Sequence, residues 1–326
     1  MGSAGELLLD RLSVDIGGTP LVRGVSLRLA PGSSYGIVGE SGSGKSLTSR
    51  AILGLLPRHA KVRGSIRLGD RELLSLSGKE MRRVRGAQVA MVFQDPLSAL
   101  NPVQRVGASI AQVVRAHERL SRPAARARAI ELIQRVGIDD ADTRSQAYPH
   151  EFSGGMRQRI VIAMALASRP SVLLADEPTT ALDVMVQAGI LRLLDDLRRE
   201  EGMSLLLVSH DFAVVAGMCA RVGVMYAGEL VEEGPTTDVL HSPSHPYSRS
   251  LLRSLPDEAT PGTALVPIPG SPPEPGSLGL GCPFAPRCDV VRPDCSQGPI
   301  EMVEVAREHG ARCLYARQPA LPGAAR

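Results

Sequence analysis

The segment GESGSGKS, residues Gly39–Ser46, has the residue types and spacing of a phosphate-binding loop. It follows the apolar run YGIV and precedes a helical pattern, which is the context that G-x-x-x-x-G-K-S/T requires. Glycines let successive backbone N–H groups turn toward a phosphate, and the N-terminus of the next helix adds its positive dipole. We predict a nucleotide site in which Lys45 reaches the outer phosphates and Ser46 binds Mg²⁺. The whole loop lines this site: Gly39, Glu40, Ser41, Gly42, Ser43, Gly44, Lys45 and Ser46.

Two carboxylates, Asp176 and Glu177, end the apolar run SVLLAD. Beside a phosphate loop, such a strand brings Asp176 to the magnesium ion. Glu177, one residue on, points elsewhere and can act as a general base or orient a water. An acidic pair at a strand end is by itself a common surface feature. The prediction therefore depends on the phosphate loop upstream.

A third segment, EFSGGMRQR, lies about one helix before that strand. Ser153 is predicted to cap a helix N-terminus, and Gly154 and Gly155 leave its amides uncovered for an anion. Read alone, the segment is equally an ordinary capped helix.

Four of the five cysteines fall in the last 45 residues, with the spacing C-x5-C-x6-C-x17-C: Cys282, Cys288, Cys295 and Cys313. No C-x2-C pair of the kind used by zinc knuckles is present. Four thiolates suit a [4Fe–4S] cluster or zinc, and metal-free thiols remain a third possibility. Cys219 lies on an apolar helical pattern and is predicted to be a core residue.

Strand and helix patterns alternate up to about residue 240, which predicts an α/β fold with a mainly parallel sheet. The predicted strands are Ser34–Val38, Gln88–Phe93, Val172–Ala175, Ser204–Val208 and Arg221–Tyr226. The predicted helices are Lys45–Leu56, Val184–Glu200 and Phe212–Cys219.

Two departures from this alternation predict the domain organisation. Between about residues 95 and 155 the patterns Val106–Ala116 and Ala124–Val136 indicate an inserted helical subdomain. From residue 256, 13 of the 25 prolines fall in the last 71 residues, which disfavours long helices. We predict a core domain over residues 1–255 and a Pro- and Cys-rich appendage over residues 256–326.

Composition excludes several classes of protein. The net charge of +3, from 37 basic and 34 acidic residues, is too balanced to indicate a nucleic-acid partner. No apolar run approaches the roughly 18 residues of a membrane helix, and the N-terminus lacks the basic stretch of a secretory signal. The expectation is a soluble cytoplasmic chain, in which clustered cysteines favour metal or redox chemistry over disulfides.

The order of the motifs resembles the ATP-binding cassette of ABC transporters across residues 1 to about 240. That order is the phosphate loop, a strand ending at Gln94, FSGGM, LLADE, ALD and SHD. The resemblance implies that Gln94 senses Mg²⁺ and the γ-phosphate near the permease surface, and that Ser153, Gly154 and Gly155 close over ATP held by an opposite cassette. It further implies that Asp183 is the D-loop aspartate and His210 the switch histidine. A lone histidine is otherwise usually a solvated or core residue.

Two positions depart from the common cassette pattern. Met156 stands where many signature segments have glutamine, although the peptide-importer branch commonly uses methionine. Ile16 stands where an aromatic side chain usually stacks on adenine. The second departure implies that nucleotide affinity depends more on the phosphates.

The C-terminal part narrows the resemblance to the ATPases of oligopeptide, dipeptide and nickel importers. The features are HPYSRSLL (His245–Leu252), the Pro-rich stretch Pro267–Ser277, and the four cysteines, which carry a [4Fe–4S] cluster in related ATPases. The implied partners are a second and related ATPase, two transmembrane permease subunits and an extracytoplasmic substrate-binding protein. The implied location is the cytoplasmic face of the cell membrane, bound peripherally.

Three alternatives accompany the interpretation as a peptide-importer ATPase. The cargo could be nickel or another small solute, because this chain does not select it. A soluble ABC ATPase acting on nucleic acid or ribosomes would generally carry two cassettes or long coiled coils, and neither pattern is present. A catalytically idle cassette is disfavoured by Glu177 and His210.

Overall fold

The structure is a computed structural model that describes residues 5–180, 182–254 and 267–316. It divides into two compact units that alternate along the chain. The first unit comprises Met1–Leu7, Leu29–Ser34 and Arg67–Val208, and the second comprises Leu8–Arg28, Tyr35–Ile66 and Ser209–Arg326.

The predicted boundary between residues 255 and 256 lies outside the described residues and stays a prediction, as does the helical subdomain at 95–155. Ala181 of the ALD motif also lies outside them.

The described part of the chain contains twelve strands and eleven α-helices. The strands are β1 (Leu7–Ile16), β2 (Thr19–Leu29), β3 (Ser34–Val38), β4 (Lys61–Leu68), β5 (Arg71–Glu72), β6 (Val89–Val92), β7 (Val172–Asp176), β8 (Ser204–Ser209), β9 (Arg221–Tyr226), β10 (Glu229–Pro235), β11 (Val303–Ala306) and β12 (His309–Ala311). The helices are α1 (Lys45–Ile52), α2 (Gly78–Val84), α3 (Pro96–Ala99), α4 (Val106–His117), α5 (Arg122–Arg135), α6 (Ala141–Arg144), α7 (Gly154–Leu166), α8 (Val184–Glu201), α9 (Phe212–Met218), α10 (Thr236–His241) and α11 (Pro246–Arg253).

The first unit is built on three parallel strands. β7 pairs with β6 on one side and with β8 on the other. All five residues of β7 are buried, as expected for a strand covered on both faces. The helical region between β6 and β7 contains α3 to α7, with α4 packed on α5 and α5 on α7. α5 begins earlier than its apolar pattern indicated because Ser121 caps it, its Oγ accepting from Ala124 N.

The second unit combines parallel and antiparallel pairing. β3 runs parallel to β9, and β9 pairs antiparallel with β10. β10 pairs antiparallel with β12, and β12 pairs with β11, so the C-terminal appendage extends this sheet. Residues 267–316 otherwise contain only 3₁₀ turns at Ala285–Arg287 and Pro293–Ser296. The predicted absence of long helices therefore holds for this described stretch.

The predicted core elements are present, with local differences at their ends. α1 ends at Ile52 rather than Leu56, because Gly54 follows in the left-handed conformation at φ 59°. Strands β2, β4, β5 and β10 to β12 were not predicted. β10 has the sequence ELVEEGP and is largely buried. Its three acidic residues interrupt the apolar pattern by which a buried strand is predicted.

No helix in the described ranges is both long and apolar enough to cross a membrane.

Candidate functional site

The phosphate loop connects β3 to α1 in the second unit, and its glycines are required by the backbone. Gly44 adopts φ 102° and Gly42 adopts φ 81°, which are conformations that favour glycine. A Cβ at Gly39 would lie 2.1 Å from the carbonyl oxygen of Met225, and one at Gly44 would lie 2.9 Å from that of Leu21. The loop is therefore closely packed against backbone at its two ends.

Lys45 is held by the loop itself. Its Nζ donates to the carbonyl oxygens of Gly39 at 2.8 Å and Glu40 at 2.9 Å, and the residue is only 4% exposed. The buried hydroxyl of Ser43 has no hydrogen-bond partner within the described residues. The buried Lys45 ammonium would attract an anion into the loop, and the buried Ser43 hydroxyl, which lacks a hydrogen-bond partner among those residues, could donate to it. Ser41 and Gly42 are exposed at its tip.

Glu40 was predicted to line the nucleotide site, which stays a prediction, and its side chain forms an ion pair with Arg287. The carboxylate accepts two hydrogen bonds from Arg287, at 2.7 Å and 3.0 Å. Its backbone N–H donates to Tyr247 Oη at 2.9 Å. Neither partner was identified from the sequence, because each lies more than 200 residues from Glu40.

The acidic pair ends β7 in the first unit. Asp176 is 1% exposed at the end of the strand. Glu177 has φ 48°, in the left-handed region that non-glycine residues seldom adopt, and its N–H donates to Val208 O at 2.9 Å. Backbone strain of this kind persists where surrounding structure holds it, commonly at functional sites. The turn fixes Glu177 immediately after the buried ladder.

The Glu177 carboxylate is oriented by two side chains. Gln94 Nε2 donates to Glu177 Oε2 at 3.0 Å, and Thr180 Oγ1 donates to the same oxygen at 2.9 Å. Two predicted residues 83 positions apart are thus in contact. Thr180 was missed by sequence reasoning, although its place three residues after the acidic pair was a usable signal.

The glycines of the FSGGM segment begin α7 as predicted. Ser153 Oγ accepts from Met156 N at 3.4 Å and caps the helix. A Cβ at Gly155 would lie 2.4 Å from Val186 Cγ1, and one at Gly154 would lie 3.3 Å from Leu182 Cδ2. The start of α8 therefore excludes a side chain at Gly155.

Asp183 and His210 lie at the ends of secondary-structure elements. Asp183 caps α8, its Oδ1 accepting from Val186 N at 3.0 Å. His210 is exposed directly after β8. The chain turns there through Ser209 Oγ, which accepts from Asp211 N at 3.0 Å.

The predicted nucleotide residues are divided between the two units. The first unit contains Gln94, the FSGGM segment, Asp176, Glu177 and Asp183, and the second contains the phosphate loop and His210. The predicted magnesium set of Ser46, Gln94 and Asp176 draws on both units and stays a prediction.

The four clustered cysteines line one cavity of about 50 Å³ in the second unit. We call residues 282–313 the cysteine segment. Its chain folds back on itself where Cys282 N donates to Cys295 O at 2.8 Å. Phe284, Val290, Ile300 and Leu314 supply apolar walls. All four cysteines are free thiols.

Burial raises the pKa of three of these thiols. It raises the pKa of Cys282 to about 11, and it raises the pKa of Cys288 and Cys313. These three thiols are protonated at neutral pH, so a metal must displace protons to bind them as thiolates. Within the described residues, no three His, Cys, Asp or Glu side chains converge as ligands of a metal ion. The four cysteines therefore line one cavity without forming a converged ligand set.

Comparison with known proteins matches two family models. The ABC transporter model covers residues 22–180, and the model for the oligopeptide/dipeptide transporter C-terminal region covers residues 231–295. The second match includes Cys282, Cys288 and Cys295.

Curated relatives are similar over most of this chain. The oligopeptide transport ATP-binding protein OppD of Mycobacterium tuberculosis is 50% identical over 90% of this chain and 48% of its own length. The dipeptide transport ATP-binding protein DppD of Bacillus subtilis is 50% identical, covering 83% of this chain and 82% of its own. The OppD protein of Escherichia coli is 45% identical, with 87% and 84% covered. The chain thus spans about half the length of the mycobacterial relatives.

Solved structures support the fold. A dimeric ATP-binding cassette in a post-hydrolysis state, with ADP and phosphate bound, matches with a TM-score of 0.63 and 27% identity. That match covers 71% of this chain and 98% of the cassette. The cbiO1 protein of Clostridium perfringens, part of an ABC transporter complex, matches with a TM-score of 0.64 and 27% identity, covering 72% of this chain and 90% of its own. The α/β cassette fold expected from the sequence is confirmed, and the chain belongs to the family of ATP-binding proteins of oligopeptide and dipeptide ABC transporters.

Proposed function

We propose that this chain is the ATP-hydrolysing energy subunit of an ABC importer for di- or oligopeptides. The observation that carries the proposal is the environment of Glu177. Its carboxylate accepts from Gln94 and Thr180 at the end of a buried strand. A carboxylate oriented by two donors is suited to position and deprotonate a water molecule. The names of the relatives supply the cargo class.

The phosphate loop binds the triphosphate in this proposal. Backbone N–H groups of Gly39–Ser46 face the phosphates, and the Lys45 ammonium exchanges its two loop carbonyls for phosphate oxygens. Ser46, Asp176 and Gln94 would hold Mg²⁺, which offsets charge on the transferring phosphoryl group. His210 contacts the γ-phosphate.

Two cassettes share their nucleotides in this proposal. Ser153, Gly154, Gly155 and Asp183 face the ATP of an opposite cassette, which is a related ATPase chain. The exposed side chains of Val184 and Met185, at 80% and 82%, directly follow Asp183 and suit a protein contact. ATP binding closes the pair, and hydrolysis at Glu177 reopens it.

Two permease subunits and an extracytoplasmic binding protein complete the importer, with this chain bound peripherally at the cytoplasmic face. In the segment after Gln94, the α3 residue Leu97 is 51% exposed and Val103 is 81% exposed. Apolar side chains exposed beside a nucleotide-sensing glutamine support a permease contact here. Through this contact, closure of the two cassettes is transmitted to the permease.

The assignment of Glu177 is tested by Glu177→Gln in the assembled importer. ATP hydrolysis should fall by about 100-fold or more, because the general base is lost, while ATP still binds. Glu131→Gln is the matched control, because the Glu131 side chain is 63% exposed and forms an ion pair with Arg128. Equal hydrolysis by Glu177→Gln and the wild type would refute the assignment.

The cargo is tested separately from the chemistry. The complex should be purified with its partners, and bound cargo identified by mass spectrometry. Co-purifying peptide supports a peptide importer, whereas nickel without peptide supports the alternative importer. Recovery with ribosomes or nucleic acid, and no permease, would contradict a transport role.

We propose in addition that the cysteine segment holds a [4Fe–4S] cluster through Cys282, Cys288, Cys295 and Cys313. The supporting observation is that all four side chains line one cavity with apolar walls. Four cysteine thiolates are the ligand set that a [4Fe–4S] cluster requires, and the four side chains would have to converge when the cluster binds. When bound, the cluster supplies cross-links within a segment that has little regular structure. Its role in this proposal is structural.

The cluster is tested by anaerobic purification and quantification of iron, acid-labile sulfide and zinc. About four irons and four sulfides per chain are expected, lost on Cys295→Ser and retained in Cys219→Ala. Cys219 is the matched control because it is buried outside the cavity. One zinc without sulfide, or neither metal, would overturn the cluster assignment.

A further inference from the structure

Glu40, the second residue of the phosphate loop, forms a two-point ion pair with Arg287 of the cysteine segment. Arg287 Nη1 donates to Glu40 Oε2 at 2.7 Å, and Nη2 donates to Oε1 at 3.0 Å. The Arg287 side chain is 5% exposed and that of Glu40 25%. A bidentate, buried pair fixes geometry in a way that a mobile surface pair does not.

Arg287 is itself held in place from several directions. Its Nε donates to Pro269 O at 2.8 Å, and its Nη1 also donates to Tyr226 Oη at 3.3 Å. The guanidinium lies 5.8 Å from the Tyr226 ring centre and 5.9 Å from that of Phe284. An anchored guanidinium can act as a fixed support for Glu40.

A second tie reaches the backbone of the same residue. Glu40 N–H donates to Tyr247 Oη at 2.9 Å. Tyr247 is fully buried, and its ring packs with those of Tyr226 and Phe284 at centroid distances of 4.5 Å and 5.3 Å. The aromatic cluster therefore supports Glu40 through its backbone, while Arg287 supports it through its side chain.

Glu40 also holds the phosphate-loop lysine before a nucleotide binds. Its carbonyl oxygen is one of the two that accept from Lys45 Nζ. The loop contains glycines at φ 81° and 102°, and glycine-rich backbone has many conformations to lose on binding a ligand. Holding Glu40 in advance lowers that cost. Arg287 also neutralises a carboxylate that would otherwise repel a triphosphate.

We propose that Arg287 is a positioning residue for ATP binding, which braces the phosphate loop through Glu40 and couples it to the cysteine segment. The inference rests on the proposed function of Gly39–Ser46 as the ATP site. The coupling is direct along the chain, because Arg287 precedes Cys288 and both Phe284 and Ala285 line the cysteine cavity.

The test measures ATP affinity by calorimetry and KM and kcat in the assembled, metal-loaded importer. Arg287→Gln should weaken ATP binding about tenfold, or about 1.4 kcal/mol, because Glu40 is left unneutralised and the loop unbraced. KM should rise with it, whereas kcat at saturating ATP changes by less than about twofold. Arg287→Lys should give an intermediate affinity, since it keeps the charge and loses the fork.

Rescue separates this role from a merely structural one. The double variant Glu40→Gln/Arg287→Gln removes the stranded carboxylate but does not restore the brace, so its ATP affinity should recover by about threefold and stay below that of the wild type. Full recovery would reduce the role of Arg287 to charge neutralisation and overturn the bracing role. Iron and sulfide content is measured in every variant. Arg253→Gln is the matched control, because Arg253 is 53% exposed and pairs with Asp289 at 4.0 Å; its ATP affinity should equal that of the wild type.

Two further results would overturn the inference. One is unchanged ATP affinity in Arg287→Gln. The other is affinity that falls together with metal content and shows no recovery in the double variant, since that describes general damage to the cysteine segment. Lys45→Ala distinguishes this failure from failure of the proposed function. If Lys45→Ala binds ATP normally, the loop is not the ATP site; if it does not bind, only the role of Arg287 is rejected.

Discussion

The end of β7 and the cysteine segment bring their functional groups together in different ways. Asp176, Glu177 and Thr180 lie within five residues, and the parallel ladder of β6, β7 and β8 fixes where they stand. The cysteine segment has two 3₁₀ turns and two short strands. Its position depends on side chains that meet across the sequence, such as Arg287 with Glu40.

This difference teaches where each region is vulnerable. A site built on a buried ladder keeps its backbone when one side chain is changed, so mutations there should alter chemistry more than stability. A segment held by a few buried polar contacts, and in our proposal by a metal cluster, should respond to single changes with local unfolding. The four predictions below test that contrast, beginning with the largest expected effect.

Removing the proposed iron–sulfur cluster should give the largest difference in response between the cysteine segment and the end of β7. Anaerobic chelation should speed hydrogen exchange of amides in the cysteine segment by about 10⁴-fold or more, because metal binding and folding of small sites are coupled. One such amide is that of Cys282, which donates to Cys295 O. Amides of Val172–Asp176 should keep their protection. The measurement is hydrogen exchange with mass spectrometry on peptides from both regions. If amides of the cysteine segment exchange at the same rate before and after chelation, the proposed difference between the two regions is wrong.

The second-largest effect is expected at Glu232, a β10 residue that contacts His309 of the cysteine segment. This fully buried carboxylate accepts from Ser244 N at 2.7 Å and His245 N at 2.9 Å, and it contacts His309 Nε2 at 2.7 Å. Glu232→Ala should lower the free energy of unfolding by about 3–5 kcal/mol, because buried partners are left unsatisfied. Urea unfolding measures the change. Glu232→Gln keeps an acceptor and should cost less; a loss below about 1 kcal/mol in Glu232→Ala would contradict the account.

At the end of β7 the effect should fall on chemistry instead. Thr180→Val keeps the shape of the side chain and removes the hydroxyl that donates to Glu177 at 2.9 Å. A hydrogen bond to a charged group contributes about 1.5–3 kcal/mol, so kcat should fall by about 10- to 100-fold with little change in KM. The exposed Thr237→Val is the control. A variant that loses stability but not kcat would place Thr180 in a structural role.

The smallest effect concerns Glu233, the neighbour of Glu232 on β10. Burial raises the pKa of Glu233, while Arg221, 3.6 Å from its carboxylate, acts in the opposite direction. A folded-state pKa above the unfolded one means that the native protein holds more protons, so stability falls as pH rises through the interval between them. Arg221 also forms an ion pair with Glu308, so its charge stays paired when Glu233 is replaced.

Glu233→Gln should therefore raise stability at pH 7 by up to about 1 kcal/mol, with no gain below about pH 4.5. Thermal unfolding across this pH range measures the difference from the wild type. The adjacent substitutions at 232 and 233 are thus predicted to have opposite signs at neutral pH. A stability loss in Glu233→Gln at pH 7 would show that its ion pair with Arg221 outweighs its burial.

The sequence was sufficient wherever function follows from short-range pattern. A strand, a glycine-rich turn and a helix predict the phosphate loop, and an apolar run ending in two acids predicts the end of β7. The clustering of the cysteines also follows from spacing and composition. In these cases the residues that act together are close in the chain or belong to a known order of motifs.

The sequence was insufficient where a residue's partner is distant or its pattern is disguised. Nothing near Arg287 indicates that its guanidinium meets Glu40, and no periodicity marks Tyr247 as the acceptor of a loop amide. β10 was missed because its buried acid is satisfied by two backbone donors and a histidine. Such contacts depend on the completed fold and not on local propensity.

ATP-driven uptake of a labelled peptide into proteoliposomes tests the central claim most directly. The importer is assembled with this chain as wild type or Glu177→Gln, with ATP supplied on the side of the cassettes. The account predicts peptide uptake by the wild type and none by Glu177→Gln, which still binds ATP. Peptide uptake by Glu177→Gln at the wild-type rate, or ATP hydrolysis that never moves peptide, would contradict it.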